Sequence, residues 1–311
     1  MSRLHADLRN GFLYHIIICD VLHIFAFGIL AAALFTASIS SRVPRTMAWF
    51  LLISSATLGT GSRILVVGQQ IGSDPNRVVC IVQAMLLSGT AILNIYTGAA
   101  FVLQLYFTLL AVKRSRELPS IWRLLMQIVP VFIFLGTLLA VLVVRNSYPR
   151  NELYLKRSTK IGSLQPSLIR RSSSGMYCEL AASSLNYSLT AVGLVGVLIT
   201  VTTKVLILIE LWATKRTLTT EHLPKITRTP PGTVGRAFGY TFILFVIFIL
   251  GVASFFPRDE NLLAKITDIV IAVGAAVTAV VFATESDIMK VWLFWRKSRD
   301  LNTAEDVQGQ V

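Results

Sequence analysis

The 311-residue chain is 54% hydrophobic and only 14% charged, where soluble domains carry about 25% charged residues, which excludes a water-soluble protein of ordinary globular domains. Its net charge of +13 does not point to nucleic acid, because the basic residues sit in the connections between apolar runs, the usual pattern of a membrane protein.

A helix crosses the roughly 30 Å hydrocarbon core of a bilayer with about 20 apolar residues. Seven runs qualify: 12–38, 47–72, 78–112, 121–145, 185–212, 234–256 and 262–284. The expected fold is all-α, a seven-helix transmembrane bundle over residues 1–284. The first run is too long for a signal-peptide core and has no small-residue cleavage site behind it, so it is expected to remain as helix one. An odd number of spans puts the termini on opposite sides. With the N-terminus outside, the cytoplasmic side holds fifteen basic residues and the other side twelve, seven of them in one long loop around 145–184. The positive-inside rule favours that orientation in the plasma membrane, with the C-terminus cytoplasmic. Against it, Arg170-Arg171-Ser172-Ser173-Ser174 would look like a basophilic kinase site if it faced the cytoplasm.

Helix one carries Cys19, a small apolar filler, and Asp20, one of few charges within the membrane. His15 and His23 lie near the same level and are expected to be interfacial or packing residues. Arg63 lies at a similar depth in the antiparallel helix two, so a buried Asp20–Arg63 pair is expected near the outer third, within reach of Asp268 in helix seven. Such a pair would be a structural ion pair or the polar floor of a ligand pocket. Asp268 has Lys265 three residues earlier, a partner on its own helix face.

Helix three has a polar stripe. Alternating steps of three and four from Cys80 meet Gln83, Leu87, Thr90, Asn94, Thr97, Phe101, Gln104 and Thr108. That spacing keeps one face in register, and polar groups in hydrocarbon need partners, so the face turns into the bundle and helix three is central. The stripe serves either hydrogen bonds between helices or a ligand, the latter at Gln83, Leu87, Thr90 and Asn94 near the outer mouth. Only Pro130, in helix four, interrupts a span. Cys178 precedes helix five. With the N-terminus outside, Cys80 and Cys178 share the oxidising side at similar height and can form a disulfide that pins the long loop across the outer mouth; the other reading is two free thiols.

Asn186-Tyr187-Ser188 is a glycosylation sequon set against helix five. Lys204, deep in the inner half of that helix, can snorkel toward the cytoplasm. Phe238, Phe242 and Phe245 share one face of helix six, as core packing or as residues that repack in a conformational change. The inner face is basic, with Lys113, Arg114 and Arg116 ending helix three and Lys215 and Arg216 after helix five. Attraction to anionic membrane lipid, about 1 kcal/mol per basic residue, explains those charges as well as a protein partner does. Residues 285–299 suit a short amphipathic helix on the membrane surface, with Trp292 and Trp295 in its middle. Residues 300–311 read as a disordered cytoplasmic tail.

Seven spans, a long second outer loop and a cysteine in that loop facing one at the top of helix three together resemble a G-protein-coupled receptor. The stretch GQQIGSDPNRVVCIVQA, residues 68–84, more narrowly resembles the receptor-like seven-helix proteins of basidiomycete fungi. The chain departs from the rhodopsin-like class: helix three ends in LLAVKRSR at 109–116 in place of Asp-Arg-Tyr, helix seven has no Asn-Pro-x-x-Tyr, and helix six has no internal proline. The resemblance implies an extracellular small-molecule or peptide ligand in the outer half of the bundle. It also implies a heterotrimeric G protein docked on the inner basic residues. A small-solute transporter or channel is the alternative, without the matching inverted halves that mark many transporters. No enzyme, cofactor or metal is expected, since the four histidines show no ligand spacing such as i, i+4.

Overall fold

The computed structural model describes residues 2–40, 45–70, 76–113, 119–147, 169–172, 175–180, 183–217 and 260–284, with the helical residues Gly239, Phe242, Phe245, Val246, Ile249, Ile288, Met289, Val291 and Trp292. Six long helices run through it: α1 Ser2–Ile39, α2 Met47–Ile64, α3 Arg77–Lys113, α4 Ser120–Ser147, α5 Ser183–Thr217 and α6 Glu260–Ala283. Five of them, all but α2, are long and apolar enough to cross a membrane. The protein is thus an all-α, multi-pass membrane bundle. The five described helical residues of the 234–256 run fit a further helix, and α6 corresponds to the seventh run. Phe238, Arg114, Arg116, Trp295 and the tail 300–311 lie outside the described residues.

α3 is central, packing against α2, α4, α5 and a small hairpin, while α1 packs between α2 and α6. One apolar core joins α1, α2, α6 and the stretch after it: Leu30, Leu52, Ile53, Ala279 and Ile288 are fully buried. A second lies under the hairpin, with Ala84, Val141, Cys178 and Leu185. Close helix approach needs small residues where no hydrophobic force drives association. At Gly196 of α5, a Cβ would lie 2.6 Å from Ile95 Cγ2 of α3, so only glycine fits there.

α2 stops well short of the apolar run that was read as extending to 72. Eighteen residues reach about 27 Å at 1.5 Å each. The chain then turns through 65–68, with Val67 N donating to the Ile64 carbonyl and Gln69 N to Val66, and Gly68 takes φ +83°. Apolar composition alone does not carry a helix through a glycine at positive φ.

The hairpin pairs β1, Ile169–Arg171, with β2, Cys178–Leu180, in antiparallel register, Arg171 opposite Cys178. Its turn is closed by Ser172 N to the Tyr177 carbonyl and Gly175 N to the Ser172 carbonyl, both 2.8 Å, with Gly175 at φ +72°. Met176 and Tyr177 therefore lie between the turn and β2, with Tyr177 facing Ser172 across the hairpin.

Two apolar faces differ from expectation. Phe242 and Phe245 are 68% and 41% exposed, so that edge of the sixth run faces outward into hydrocarbon and not into the core. After α6, Ile288 and Val291 are buried against α1 and α2, and Trp292 Nε1 donates to Thr36 Oγ1 at 2.9 Å. These described residues pack on the bundle. A shallow apolar groove of about 260 Å³, lined by Met47, Leu51, Ile128, Phe132, Leu135 and others, opens on the flank between α2 and α4, away from the polar cluster described next.

Candidate functional site

The hairpin end of the bundle gathers most of its buried polar chemistry. Cys80, in the first turn of α3, is bonded to Cys178 of β2 across a separation of 98 residues, with Cα atoms 5.3 Å apart, within the usual disulfide range. The expected bridge is present. One turn further along α3, Gln83 is fully buried. Its Nε2 donates to the Ser62 carbonyl of α2 at 3.1 Å, and its Oε1 accepts from Cys178 N at 3.0 Å. The side chain read as a ligand contact has both its polar ends engaged by the protein. A buried backbone group without a partner costs about 1–3 kcal/mol, and this amide satisfies one on each side. Arg171 adds a clamp, donating from Nη1 to the Gln70 carbonyl at 3.1 Å and from Nη2 to Gln69 at 3.0 Å.

The Asp20–Arg63 ion pair does not form between these two described residues. Asp20 Oδ1 instead accepts from Gln70 Nε2 at 2.8 Å, and the Arg63 guanidinium carbon lies 5.6 Å from the centre of the Tyr177 ring, a cation–π distance. The early end of α2 is the reason. The turn at 65–68 brings Gln70 back to α1, so an amide reaches the carboxylate and no second charge has to be desolvated with it.

Asp268 of α6 is 2% exposed and also acts on the Tyr177 side chain. Burial, and after it the Asp268 carboxylate, push the Tyr177 phenol above its usual pKa range, against the pull of Arg63 and a hydrogen bond with Ser172. Met176, 5% exposed, packs with Ile16 and Cys19 of α1 and Ala272 of α6, and Leu22 and Tyr177 border the same cluster. His15 Nε2 donates to the Lys265 carbonyl at 3.2 Å, tying α1 to α6. Thus Asp20, Arg63 and Asp268 do converge on one region, but around the loop residues Gln70 and Tyr177 and not around each other.

Deeper along α3, Leu87 and Asn94 are half-buried, and Thr90 and Thr97 are 2% and 1% exposed. Thr97 Oγ1 donates to the Leu93 carbonyl at 2.8 Å and lies 2.9 Å from Ser55 Oγ of α2. Thr90 Oγ1 donates to the Leu87 carbonyl at 3.4 Å. Such bonds to the preceding turn make Ser and Thr tolerable in an apolar helix. Part of the stripe is therefore self-satisfied and part links α2 to α3. Asn94 differs: its Nδ2 would sit 3.0 Å from a Cβ at Gly59, and its buried Oδ1 has no hydrogen-bond partner among the described residues. Thr108 is exposed, so the stripe leaves the interior at the far end.

At that far end Lys113 Nζ donates to Glu210 Oε2 of α5 at 2.6 Å, with side chains 56% and 29% exposed. Lys215 and Arg216 continue α5 as helix. Lys204 is buried at 9% exposure on the α5 face that also buries Thr200, Thr203 and Ile207.

Gln70, Met176, Tyr177 and Glu210 join these contacts without standing out in the sequence. Tyr177 did carry a signal: a residue beside a bridged cysteine is held where the bridge is. Gln70 sits in GQQIG, where two glycines announce a turn. The fold and this cluster define a multi-pass helical membrane protein with a disulfide-tethered hairpin across one end. No family model matches the chain, and no curated protein matches it.

Proposed function

We propose that the protein is a seven-helix G-protein-coupled receptor of the plasma membrane, with its N-terminus and hairpin outside, that binds an extracellular ligand and signals to a heterotrimeric G protein without catalysing a reaction. The Cys80–Cys178 bond carries this reading, because it lashes a loop hairpin to the outer end of the central helix α3. Beneath that roof, Leu87, Thr90 and Asn94 follow one another along α3 and Asp268 stands apart on α6 beside Tyr177, while Gln83 holds the roof in place. Ligand binding biases two arrangements of the bundle. The inner end, where α3 and α5 are joined by the exposed Lys113–Glu210 pair, is where a cleft opens for the G protein beside Arg114, Arg116, Lys215 and Arg216.

Nucleotide exchange on heterotrimeric G proteins, measured in vesicles reconstituted with the full chain, tests it. The receptor is expected to raise exchange above empty vesicles, and neutralising Lys113, Arg114 and Arg116 together is expected to abolish the gain. Solute flux with no exchange response from any G-protein class would overturn the reading in favour of a transporter or channel. Impermeant thiol labelling of intact cells after mild reduction checks the orientation: Cys178 is expected to label from outside, and labelling only after permeabilisation refutes it.

A further inference from the structure

The hairpin is not merely a cover over the bundle: its Tyr177 occupies the polar cluster itself. Tyr177 presents its ring to the Arg63 guanidinium at 5.6 Å, has Asp268 and Ser172 as polar neighbours of its side chain, and borders an apolar wall of Ile16, Cys19, Leu22, Ala272 and Met176. Residues from α1, α2 and α6 thus make a socket of defined chemistry, and its present occupant is a phenol on a short tether. The neighbouring Cys178 is held by the disulfide and by Gln83, so the hairpin cannot lift away as a whole. Vacating the socket therefore requires the Tyr177 side chain itself to rotate out.

We propose that this socket is a binding site for small neutral phenols and aryl alcohols, which the protein fills with its own Tyr177 until such a molecule displaces that side chain. The surrounding charges select the class. A cationic amine would be drawn to Asp268 but set against Arg63, and a carboxylate drawn to Arg63 but set against Asp268, so neither charge gains cleanly and each must still be desolvated. A flat neutral ring gains the cation–π contact with Arg63, and its hydroxyl replaces that of Tyr177. A purely hydrocarbon ring leaves those polar neighbours without the hydroxyl they now have, and a site built around a hydroxyl discriminates against analogues that lack it.

That the phenol is a signal rests on the receptor reading; that it binds does not, and the two are measured separately. The binding test uses the full chain in detergent or nanodiscs, with 4-methylphenol, the tyrosine side chain cut at Cβ, as the probe and toluene as the control. Tyr177→Ala is expected to lower the melting temperature, and 4-methylphenol to raise it again by about 2–4 °C at several times its Kd. Toluene is expected to recover less than half of that shift. At the same concentrations the wild-type protein, its socket filled, is expected to shift by a smaller amount. No shift of a folded, disulfide-intact Tyr177→Ala protein by 4-methylphenol overturns the proposal, and so does an equal shift by toluene. Should Tyr177→Ala fail to fold, two measurements decide. Tyr177→Phe keeps the ring and is expected to melt below wild type; an unchanged melting temperature refutes the role of the hydroxyl. Hydrogen exchange in the wild-type protein is expected to find the 175–180 backbone protected to the level of α3, and free exchange there refutes occupancy of the socket. Loss of G-protein coupling with phenol binding intact would strike the proposed function alone.

Discussion

The two ends of α3 are held in opposite ways. At the hairpin end the helix is bonded covalently to β2, its Gln83 joins α2 to β2 through a fully buried amide, and Arg171 clasps the turn after α2. At the other end an ion pair with half-exposed Lys113 reaches α5, and the polar stripe runs out to solvent-accessible Thr108. Exposed pairs contribute at most about 1 kcal/mol, whereas a disulfide closing a loop of this length contributes about 4–5 kcal/mol in the chain-entropy account, an upper figure for a chain confined to a membrane. A bundle built so is stiff at one end and free to rearrange at the other, and local opening concentrates where few buried contacts are lost.

Four substitutions test the contrast, in order of expected effect on thermal denaturation in detergent. Cys178→Ala is expected to cost most, approaching about 4 kcal/mol, and to release the hairpin to proteolysis; a loss below that of Gln83→Leu would break the comparison. Gln83→Leu leaves the Ser62 carbonyl and the Cys178 N–H buried without their partner and is expected to cost about 2–3 kcal/mol, read from the shift in denaturation midpoint. Arg171→Gln gives up two hydrogen bonds at a partly exposed site and is expected to cost about 1 kcal/mol. Lys113→Ala is expected to cost less than about 1 kcal/mol and to lose its effect in 1 M salt. If Lys113→Ala instead matched Gln83→Leu, the two ends would be equally fixed.

Reading the sequence located the bridge for a physical reason. The spacing of the apolar runs implies which connections share a side, and two cysteines on the same side at similar height have few other partners. The polar stripe of α3 was legible by its spacing, and Gln83, Thr90 and Thr97 are indeed buried. What those side chains touch was not, because Gln83 meets a backbone group 95 positions away in the chain. Asp20 and Arg63 were set in one region correctly and paired wrongly. Depth along two helices can be counted, but the turn at 65–68 that delivers Gln70 to Asp20 depends on where α2 stops. The phenylalanines of the sixth run failed differently: in a membrane protein an apolar face can turn to lipid as readily as to the core, so Phe242 and Phe245 carry no mark of their direction.

The sequence by itself determined an all-helical membrane protein with a central third helix and set two cysteines where a bridge over one mouth could form. Those follow from apolar run length, helical spacing and the sidedness of cysteines, which are properties of position along the chain. Only the tertiary structure decided that the hairpin's Tyr177 fills the polar cluster, where both Arg63 and Asp268 act on it. That contact joins three elements far apart in sequence, and burial and charge in a folded interior depend on neighbours that no local pattern records.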